Sequence, residues 1–154
     1  MLKFKIMDNI TIFNKGNKPT VEEKRIIIGF LYEHLEKFGD AKEDITKAID
    51  YSLEEYPSYG GFIMTYNSGT ELAAAVVINK TGMEGYIPEN ILVYIATHNK
   101  LRGKGIGKKL MEAAINQAAG NIALHVEPDN PAKKLYERLG FTNKYLEMRL
   151  VKKK

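Results

Sequence analysis

Three glycines at alternate positions make one loop of this sequence suited to binding an anion. They stand in the run Arg102-Gly103-Lys104-Gly105-Ile106-Gly107. Glycines let successive backbone N–H groups turn toward one concave point. The stretch after the loop has helical spacing, and the N-terminus of a helix adds a positive dipole end and free N–H groups at that point. The pattern predicts a cradle for phosphate or pyrophosphate.

Basic side chains around the loop add positive charge; they are Arg102, Lys104, Lys108 and Lys109. Two nucleotide-binding patterns are excluded. The loop lacks GxxxxGKS/T, because no Ser or Thr follows a Gly-Lys pair, and it fails GxGxxG, because the third glycine arrives one residue early. The loop alone leaves a second interpretation open, in which it is a tight turn with a solvated basic rim.

Apolar periodicity indicates the elements that precede this loop. Residues 2–6 and 10–12 alternate between apolar and polar, as in a strand or a small hairpin. Thr20 with Glu23 forms a capping box for a first helix, which Gly39 ends. Between the capping box and that glycine, apolar residues recur at helical spacing: Ile27, Leu31, Leu35 and Phe38.

A second helix and a hairpin are predicted next. Asp40 with Glu43 can cap the helix, and Pro57 lies beyond its end. Residues 62–66 and 72–78 read as two antiparallel strands joined by a turn.

The second half of the chain alternates strands and helices. Residues 91–96 are apolar on both faces, as a central strand requires, and the glycine loop leads into a helix over about 106–119. A strand over 122–126, a short helix over 131–139 and a last strand over 145–151 follow. We predict an α/β domain with a mixed central sheet of about six to seven strands flanked by about four helices.

Composition bounds the class of protein. The chain has 154 residues, the size of one domain, so we expect residues 1–154 to form a single domain. It has no cysteine, which excludes disulfides, thiolate metal sites and a cysteine nucleophile and fits a cytoplasmic protein. No apolar run approaches the roughly 20 residues that span a bilayer, and residues 1–13 lack the apolar block of an export signal.

Two motifs stand in order in the second half of the chain. The first is Arg102-x-x-Gly105-x-Gly107, and the second runs from Asn130-Pro131-Ala132 through Tyr136 to Gly140-Phe141. They resemble, in the same order, the R/Q-x-x-G-x-G/A and N-x-x-A-x-x-x-Y-x-x-x-G-F signatures of the GCN5-related N-acetyltransferase family. The resemblance covers roughly residues 90 to 141.

The resemblance implies that the ligand is acetyl-CoA, used as a co-substrate by an N-acetyltransferase. The pyrophosphate would lie on the loop formed by Arg102, Gly103, Lys104, Gly105, Ile106 and Gly107. The backbone of Ile95, Ala96 and Thr97 would pair with the pantetheine arm like an added strand, in a slot where the fourth and fifth strands splay apart. Asn130 would bond the arm, and Tyr136 would protonate the departing thiolate.

Elementary chemistry is consistent with that role for Tyr136. A phenol with an ordinary pKa near 10 can donate a proton to a thiolate whose pKa is about 8.5. The alternative is a core aromatic on an amphipathic helix, beside Leu135 and Leu139. The motif also departs from the family pattern, because Asn130 precedes Tyr136 by six positions and Asp129 occupies the usual seventh place. Either Asp129 or Asn130 takes the contact.

The general base is less determined by the sequence. His125 lies on the predicted fifth strand, where some relatives have Glu, and its ordinary pKa suits proton uptake near neutral pH. Glu127 is its alternation partner on the same face, and His98 follows the fourth strand. Each of these could also be a purely structural group. His34, on the first helix, receives no role.

The acceptor is not named by any residue. The second helix and its exit carry acidic and aromatic side chains that would suit a cationic amine: Glu43, Asp44, Asp50, Glu54, Glu55, Tyr51, Tyr56 and Tyr59. A solvated helix face with core tyrosines is the alternative. We expect a small-molecule or peptide amine as substrate. Homodimers are common in the family, but nothing in this sequence requires one.

Two other classes of protein remain as alternatives. One is a protein that binds acetyl-CoA or CoA as a sensor without turnover, against which the intact Tyr136 argues. The other is a nucleic-acid-binding domain, suggested by a pI near 9.1 and the basic loop. No recognition helix with interleaved aromatics is present, and the net charge of +4 is modest. We therefore expect neither nucleic acid nor a membrane as partner.

Overall fold

The computed structural model describes residues 9–153, which contain five strands and four α-helices. The strands are β1 (Ile10–Phe13), β2 (Gly61–Ser68), β3 (Glu71–Lys80), β4 (Asn90–Thr97) and β5 (Ile122–Leu124). The helices are α1 (Val21–His34), α2 (Lys42–Leu53), α3 (Ile106–Gln117) and α4 (Ala132–Arg138). Two 3-10 turns, Glu36–Phe38 and Asn99–Leu101, follow α1 and β4.

The five strands form one mixed sheet in the order β1-β2-β3-β4-β5. The first four are antiparallel to their neighbours, and β5 is parallel to β4. The predicted α/β class with a mixed sheet and flanking helices is confirmed. The predicted strand count of about six to seven is too high for the described part of the chain. Of the residues predicted to supply the difference, 2–6 lie outside the described residues.

The predicted last strand over 145–151 is wrong. The segment alternates in sequence, but it forms no backbone ladder with any described strand. Its large apolar side chains, among them Tyr145, Leu146 and Met148, are exposed. A strand exists only where a neighbouring backbone satisfies its N–H and C=O groups, so an alternating pattern without a partner does not make one.

The chain separates into two compact units, one ending at Leu124 and one beginning at His125. The first contains the sheet with α1, α2 and α3, and the second contains α4. The expectation of one domain over residues 1–154 therefore stays a prediction. None of the helices between residues 9 and 153 is long and apolar enough to cross a membrane.

β3 is the centre of the packing in the first unit. Its residues from Ala73 to Ile78 are fully buried, as expected for a strand with both faces covered. On one face, Ala75 and Val77 belong to the core formed with α1 and α2. The alternate residues point to the other face, where α3 packs through Leu110, Met111 and Ala114. The sheet thus holds the start of α3 at a defined place beyond β4.

The two helices on the first face start differently. The predicted capping box of α1 is confirmed: the Glu23 N–H donates to Thr20 Oγ1 at 3.0 Å, and the Thr20 N–H donates to Glu23 Oε1 at 2.8 Å. The predicted cap of α2 by Asp40 is wrong, because Ala41 is the N-cap and makes no side-chain cap. Asp40 instead accepts a hydrogen bond from the hydroxyl of Tyr94 at 2.6 Å. A buried phenol needs an acceptor, and this one joins β4 to the connection before α2.

Replacing Thr20 with Ala should lower the free energy of unfolding by about 1 kcal/mol, because alanine cannot accept the Glu23 N–H. Urea unfolding followed by circular dichroism measures the loss. Val21→Ala is the matched control, since the Val21 side chain is 90% exposed; its effect should stay within about 0.5 kcal/mol. Equal losses in the two variants would contradict a specific contribution of the capping box.

Candidate functional site

One edge of β4 is only half covered. β5 pairs with it through Ile122–Leu124, which lie opposite Asn90–Leu92. No described strand pairs with the same edge from Val93 to Thr97. The predicted divergence of the fourth and fifth strands is therefore present, and it leaves roughly 13 Å of strand edge open to a ligand, at about 3.3 Å per residue.

A bulge in β4 lies where the divergence begins. Tyr94 is opposite Val77, and Leu92 is opposite Ile78, so Val93 is an extra residue in the ladder between β3 and β4. A bulge bends its strand and increases its twist. The bend comes directly after Leu92, the last residue of β4 that pairs with β5. The open edge therefore has a local cause in the backbone of β4.

The open edge presents the backbone of alternate residues only. The His98 N–H donates to the Ala73 carbonyl at 2.8 Å, which makes Thr97 and Ala74 a non-hydrogen-bonded pair. Backbone groups of a strand alternate in direction, so Ala96 bonds to β3, whereas Ile95 and Thr97 direct their N–H and C=O groups toward the open edge. Sequence reasoning treated these residues alike, and the ladder distinguishes them.

The glycine loop continues from this edge into α3. Gly103 and Gly105 have φ of 82° and 80°, a left-handed conformation that favours glycine. No non-neighbouring atom lies within 4 Å of where a Cβ would stand on either residue, so backbone conformation rather than crowding selects glycine there. The predicted start of the helix at Ile106 is confirmed.

The N–H groups in the first turn of α3 have no hydrogen-bond acceptor within residues 9–153. Gly105 is the N-cap and offers no side chain, and the first intrahelical bond runs from the Lys109 N–H to the Gly105 carbonyl at 3.1 Å. The N–H groups of Ile106, Gly107 and Lys108 precede it and have no acceptor within the helix. Together with the helix dipole, they favour an anion at this end of α3.

The basic residues of the loop divide into two kinds. Lys104, Lys108 and Lys109 are exposed. Arg102 instead contacts the end of α1: its Nη2 donates to the His34 carbonyl at 2.7 Å, and its Nη1 lies 3.1 Å from Glu36 Oε1. Arg102 therefore fastens the start of the loop to a helix, which the sequence pattern did not indicate.

Sequence reasoning missed His34, which the fold places beside the same segment. Its Nδ1 accepts the Asn99 N–H at 3.2 Å. A signal was available, because His34 follows Ile27 and Leu31 by seven and three positions, on the buried stripe of α1. His98, considered as a base, instead accepts the Lys100 N–H on Nδ1 at 3.2 Å and caps a 3-10 turn.

In the second unit, the end of α4 fixes the position of Tyr136. Gly140 takes a left-handed φ of 102°, its N–H donates to the Glu137 carbonyl, and the Phe141 N–H donates to the Tyr136 carbonyl at 3.0 Å. This pair of hydrogen bonds is the Schellman motif that closes a helix C-terminus. It returns the Phe141 ring edge-on to Tyr136, with centroids 6.0 Å apart. Tyr136 is buried, and burial raises the pKa of its phenol to about 12.

The residues before α4 leave the question of the amide contact open. Asn130 Oδ1 accepts the Ala132 N–H at 2.9 Å, so the side-chain oxygen stabilises the start of the helix. The amide nitrogen of Asn130 remains the group with which it could bind a ligand. Whether Asp129 or Asn130 contacts the pantetheine arm stays a prediction.

The two candidate bases do not lie on a strand. β5 ends at Leu124, so the predicted strand over 122–126 is too long, and His125 and Glu127 follow it. Pairing with β4 stops at Leu124, and without a ladder the strand does not continue. Both side chains are exposed. His125 Nδ1 lies 4.0 Å from Glu147 Oε1.

The acidic residues of α2 and its exit are largely paired with lysines. Four pairs form: Lys24 with Asp50, Lys18 with Glu55, Lys15 with Glu54, and Lys47 with Asp44. Two tyrosine hydroxyls donate to backbone carbonyls, Tyr51 to Lys80 and Tyr56 to Lys47. The lysines offset the negative charge that suggested a cationic acceptor, so this face offers such a ligand less attraction than the sequence indicated.

Gly105→Ala and Gly69→Ala form a matched pair of variants. Both glycines have left-handed φ with open space around a Cβ, but Gly69 lies in the β2–β3 turn. Each substitution should lower stability by about 1 kcal/mol. If the loop binds the acetyl-CoA that the family resemblance implies, only Gly105→Ala should weaken that binding, by about fivefold or more, because it moves the N–H groups at the start of α3. Isothermal titration calorimetry measures the affinities, and equal affinities for both variants would sink the assignment of the loop.

The comparisons with known proteins agree with this architecture. The model of the Acetyltransferase (GNAT) family matches residues 28–141. No curated protein sequence matches the chain. Among solved structures, the ribosomal-protein-S18-alanine N-acetyltransferase from Escherichia coli has a TM-score of 0.63 at 19% identity, covering 86% of this chain and 77% of that one.

Two further structures match nearly over their whole length. The ribosomal-protein-alanine N-acetyltransferase from Brucella melitensis has a TM-score of 0.63 at 15% identity, covering 92% of this chain and 98% of that one. A GNAT family acetyltransferase from Streptococcus pneumoniae has 0.65 at 16% identity, covering 94% and 99%. At these identities the likeness shows the fold alone, whereas the family model spans most of the sequence. The chain belongs to the GNAT acetyltransferase family.

Proposed function

We propose that this chain is an acetyl-CoA-dependent N-acetyltransferase that transfers the acetyl group to a primary amine. The observation that carries the proposal is the open edge of β4 from Val93 to Thr97, which leads directly into the unpaired N–H groups of α3. One ligand with an anionic end and an amide-bearing arm satisfies both features. Acetyl-CoA has this chemistry, and the family of the chain supports it.

The loop and the edge would hold different parts of the co-substrate. The pyrophosphate would accept hydrogen bonds from the backbone at Gly103 to Gly107, with the exposed lysines of the loop adding charge. The pantetheine amides would pair with the outward-facing backbone of Ile95 and Thr97, as an added strand does. Ala96 would contribute little hydrogen bonding, because its backbone groups face β3.

The reaction then needs two proton movements at the far end of the arm. The amine nitrogen bonds to the thioester carbonyl carbon, the carbon–sulfur bond breaks, and the products are an N-acetyl amine and free CoA thiol. The sulfur gains a proton, and the nitrogen loses one. We assign the first proton to Tyr136 and the second to His125 or Glu127.

The raised pKa of Tyr136 defines how it would act. With a pKa of about 12, the phenol stays protonated throughout the physiological range and is always ready to donate a hydrogen bond to sulfur. It is also a weaker acid than a thiol, whose ordinary pKa is about 8.5. The proton would therefore transfer only as negative charge develops on sulfur, and the Tyr136 phenolate would regain a proton from solvent. Solvent-exposed His125 or Glu127 would release to solvent the proton taken from nitrogen.

The acceptor class rests on two further observations. The carboxylates of α2 and its exit are paired with lysines, as Asp50 and Glu55 are, and so offer a polyamine little concentrated negative charge. The solved structures from Escherichia coli and Brucella melitensis are named as enzymes that acetylate an alanine of ribosomal proteins. We therefore place a peptide α-amine beside small monoamines as the acceptors to test first, ahead of polycations.

The proposed activity is tested by thiol release from acetyl-CoA across a panel of amines. We expect release above the amine-free rate with at least one monoamine or peptide α-amine, and less with spermine because the carboxylates of α2 are already paired. Saturable acetyl-CoA binding with no release for any amine would instead indicate a sensor. Strongly salt-dependent binding of nucleic acid without acetyl-CoA binding would indicate the third class.

Tyr136→Phe should lower kcat by about a hundredfold or more, the usual contribution of a general acid, and change the Kd of acetyl-CoA by less than about threefold. The ring and its edge contact with Phe141 are kept, so packing should be retained. Tyr145→Phe is the control, since that tyrosine is 79% exposed and lies outside the proposed site. Unchanged kcat in Tyr136→Phe would remove the acid role while leaving the cofactor assignment intact.

A further inference from the structure

A buried histidine joins the end of α1 to the segment that precedes the glycine loop. His34 is only 4% exposed. Its ring Nδ1 accepts the Asn99 N–H at 3.2 Å, and its carbonyl accepts the Arg102 guanidinium at 2.7 Å. One residue therefore holds two points of the segment 98–102, three residues apart, and Gly103 follows immediately.

Ring contacts complete this junction. The His34 ring lies against His98, with centroids 4.2 Å apart and planes at 37°, and against Phe30 at 4.6 Å. His98 in turn accepts the Lys100 N–H, so the packed ring also shapes the 3-10 turn. The conformation of the segment is thus set by contacts with α1.

The loop itself has few other constraints on its position. Within the described residues, Gly103 and Gly105 have no non-neighbouring atom within 4 Å of a Cβ position, and the side chains of Arg102 and Lys104 beside them are exposed. The loop backbone, whose N–H groups would bind the pyrophosphate, is therefore held in position mainly at its two ends. α3, packed on the sheet, holds one end, and the segment anchored by His34 holds the other.

The anchoring bond requires a neutral ring. Nδ1 can accept the Asn99 N–H only without a proton, and Nε2 lies 3.0 Å from Glu33 Oε2, where the single ring proton is satisfied. The other charged or titratable groups that face the ring are His98, Arg102 and Glu36. A second ring proton, on Nδ1, would place two N–H donors opposite each other, that of His34 and that of Asn99, and so break their hydrogen bond. Burial, more than the neighbouring His98, holds the pKa of His34 below its ordinary value of 6.5.

We propose that His34 is a positioning residue for the cofactor loop: its neutral ring orders the segment 98–102 for acetyl-CoA, and its protonation loosens that segment. This inference rests on the proposed function. It adds that acid should weaken acetyl-CoA binding through a residue that does not touch the ligand. The direction follows from the contact, since the neutral form is the one that makes the Asn99 bond.

Two variants separate the parts of the contact. His34→Asn places a side-chain oxygen where it can accept the Asn99 N–H, and it cannot be protonated. His34→Phe keeps an aromatic ring for packing and has no acceptor. Tyr32→Phe is the control, because Tyr32 lies near the end of α1 with an exposed side chain.

The measurement is the Kd of acetyl-CoA by calorimetry from pH 8 down to about pH 4.5, well below the ordinary histidine pKa of about 6.5, with kcat at saturating acetyl-CoA alongside. At pH 7.5, His34→Phe should raise Kd by about three- to tenfold, the value of one lost hydrogen bond, with kcat unchanged within about twofold. His34→Asn and Tyr32→Phe should stay within about twofold of the wild type.

The pH dependence of acetyl-CoA binding below neutral pH is the second measurement. Phosphates of the ligand also titrate near pH 6, so the quantity to compare is the ratio of wild-type Kd to His34→Asn Kd at each pH. It should rise from about 1 at pH 7.5 as the pH falls. Because burial lowers the pKa of His34, the rise should come below the ordinary value of 6.5, as the wild-type histidine takes up its proton. The ratio for Tyr32→Phe should stay flat.

Each outcome decides between the two proposals. If the wild type does not bind acetyl-CoA at any pH, the proposed function fails, and this inference fails with it. If the wild type binds but the His34→Asn ratio stays flat, or His34→Phe binds as tightly as the wild type, His34 does not position the loop although the function stands. If His34→Phe does not fold, the pH dependence of the ratio for His34→Asn decides alone.

Discussion

The unequal pairing of β4 on its two sides is the constraint on which the site depends. Every backbone N–H and C=O of a strand needs a partner, and β3 satisfies one edge of β4 along its length. The bulge at Val93 bends the strand after Leu92, so β5 satisfies only the first three residues of the other edge. The backbone of Ile95 and Thr97 therefore has no strand partner on that side among the described residues.

Order in the glycine loop comes from its neighbours rather than from its own side chains. Two glycines in left-handed conformations turn the chain, and α3 begins without a capping side chain. Arg102 and His34 tie the preceding segment to the end of α1. A helix packed on one face of the sheet thus controls backbone groups at the end of β4. An anion site built from main-chain N–H groups requires this, because glycine supplies no contacts of its own.

In the second unit, a few residues at the end of α4 fix the position of the Tyr136 phenol. α4 is short, and its end is closed by Gly140 in a left-handed conformation. The cap returns Phe141 to the ring of Tyr136. The spacing of Tyr, Gly and Phe in the motif is therefore a helix cap with a ring contact, and burial keeps the phenol protonated.

The sequence by itself determined the element types, the start of α3 at Ile106, the capping box at Thr20 and the family, because glycine placement, caps and apolar spacing act over a few neighbouring residues. It could not determine the length of β5, the absence of a strand at 145–151 or the true partner of Asp40, since each depends on backbone or hydroxyl groups far along the chain. For the same reason it gave no sign that the Arg102 guanidinium contacts the His34 carbonyl. Only the tertiary structure, by bringing the end of α1 against residues 98–102, decided that His34 contacts Asn99 and Arg102 just before the loop.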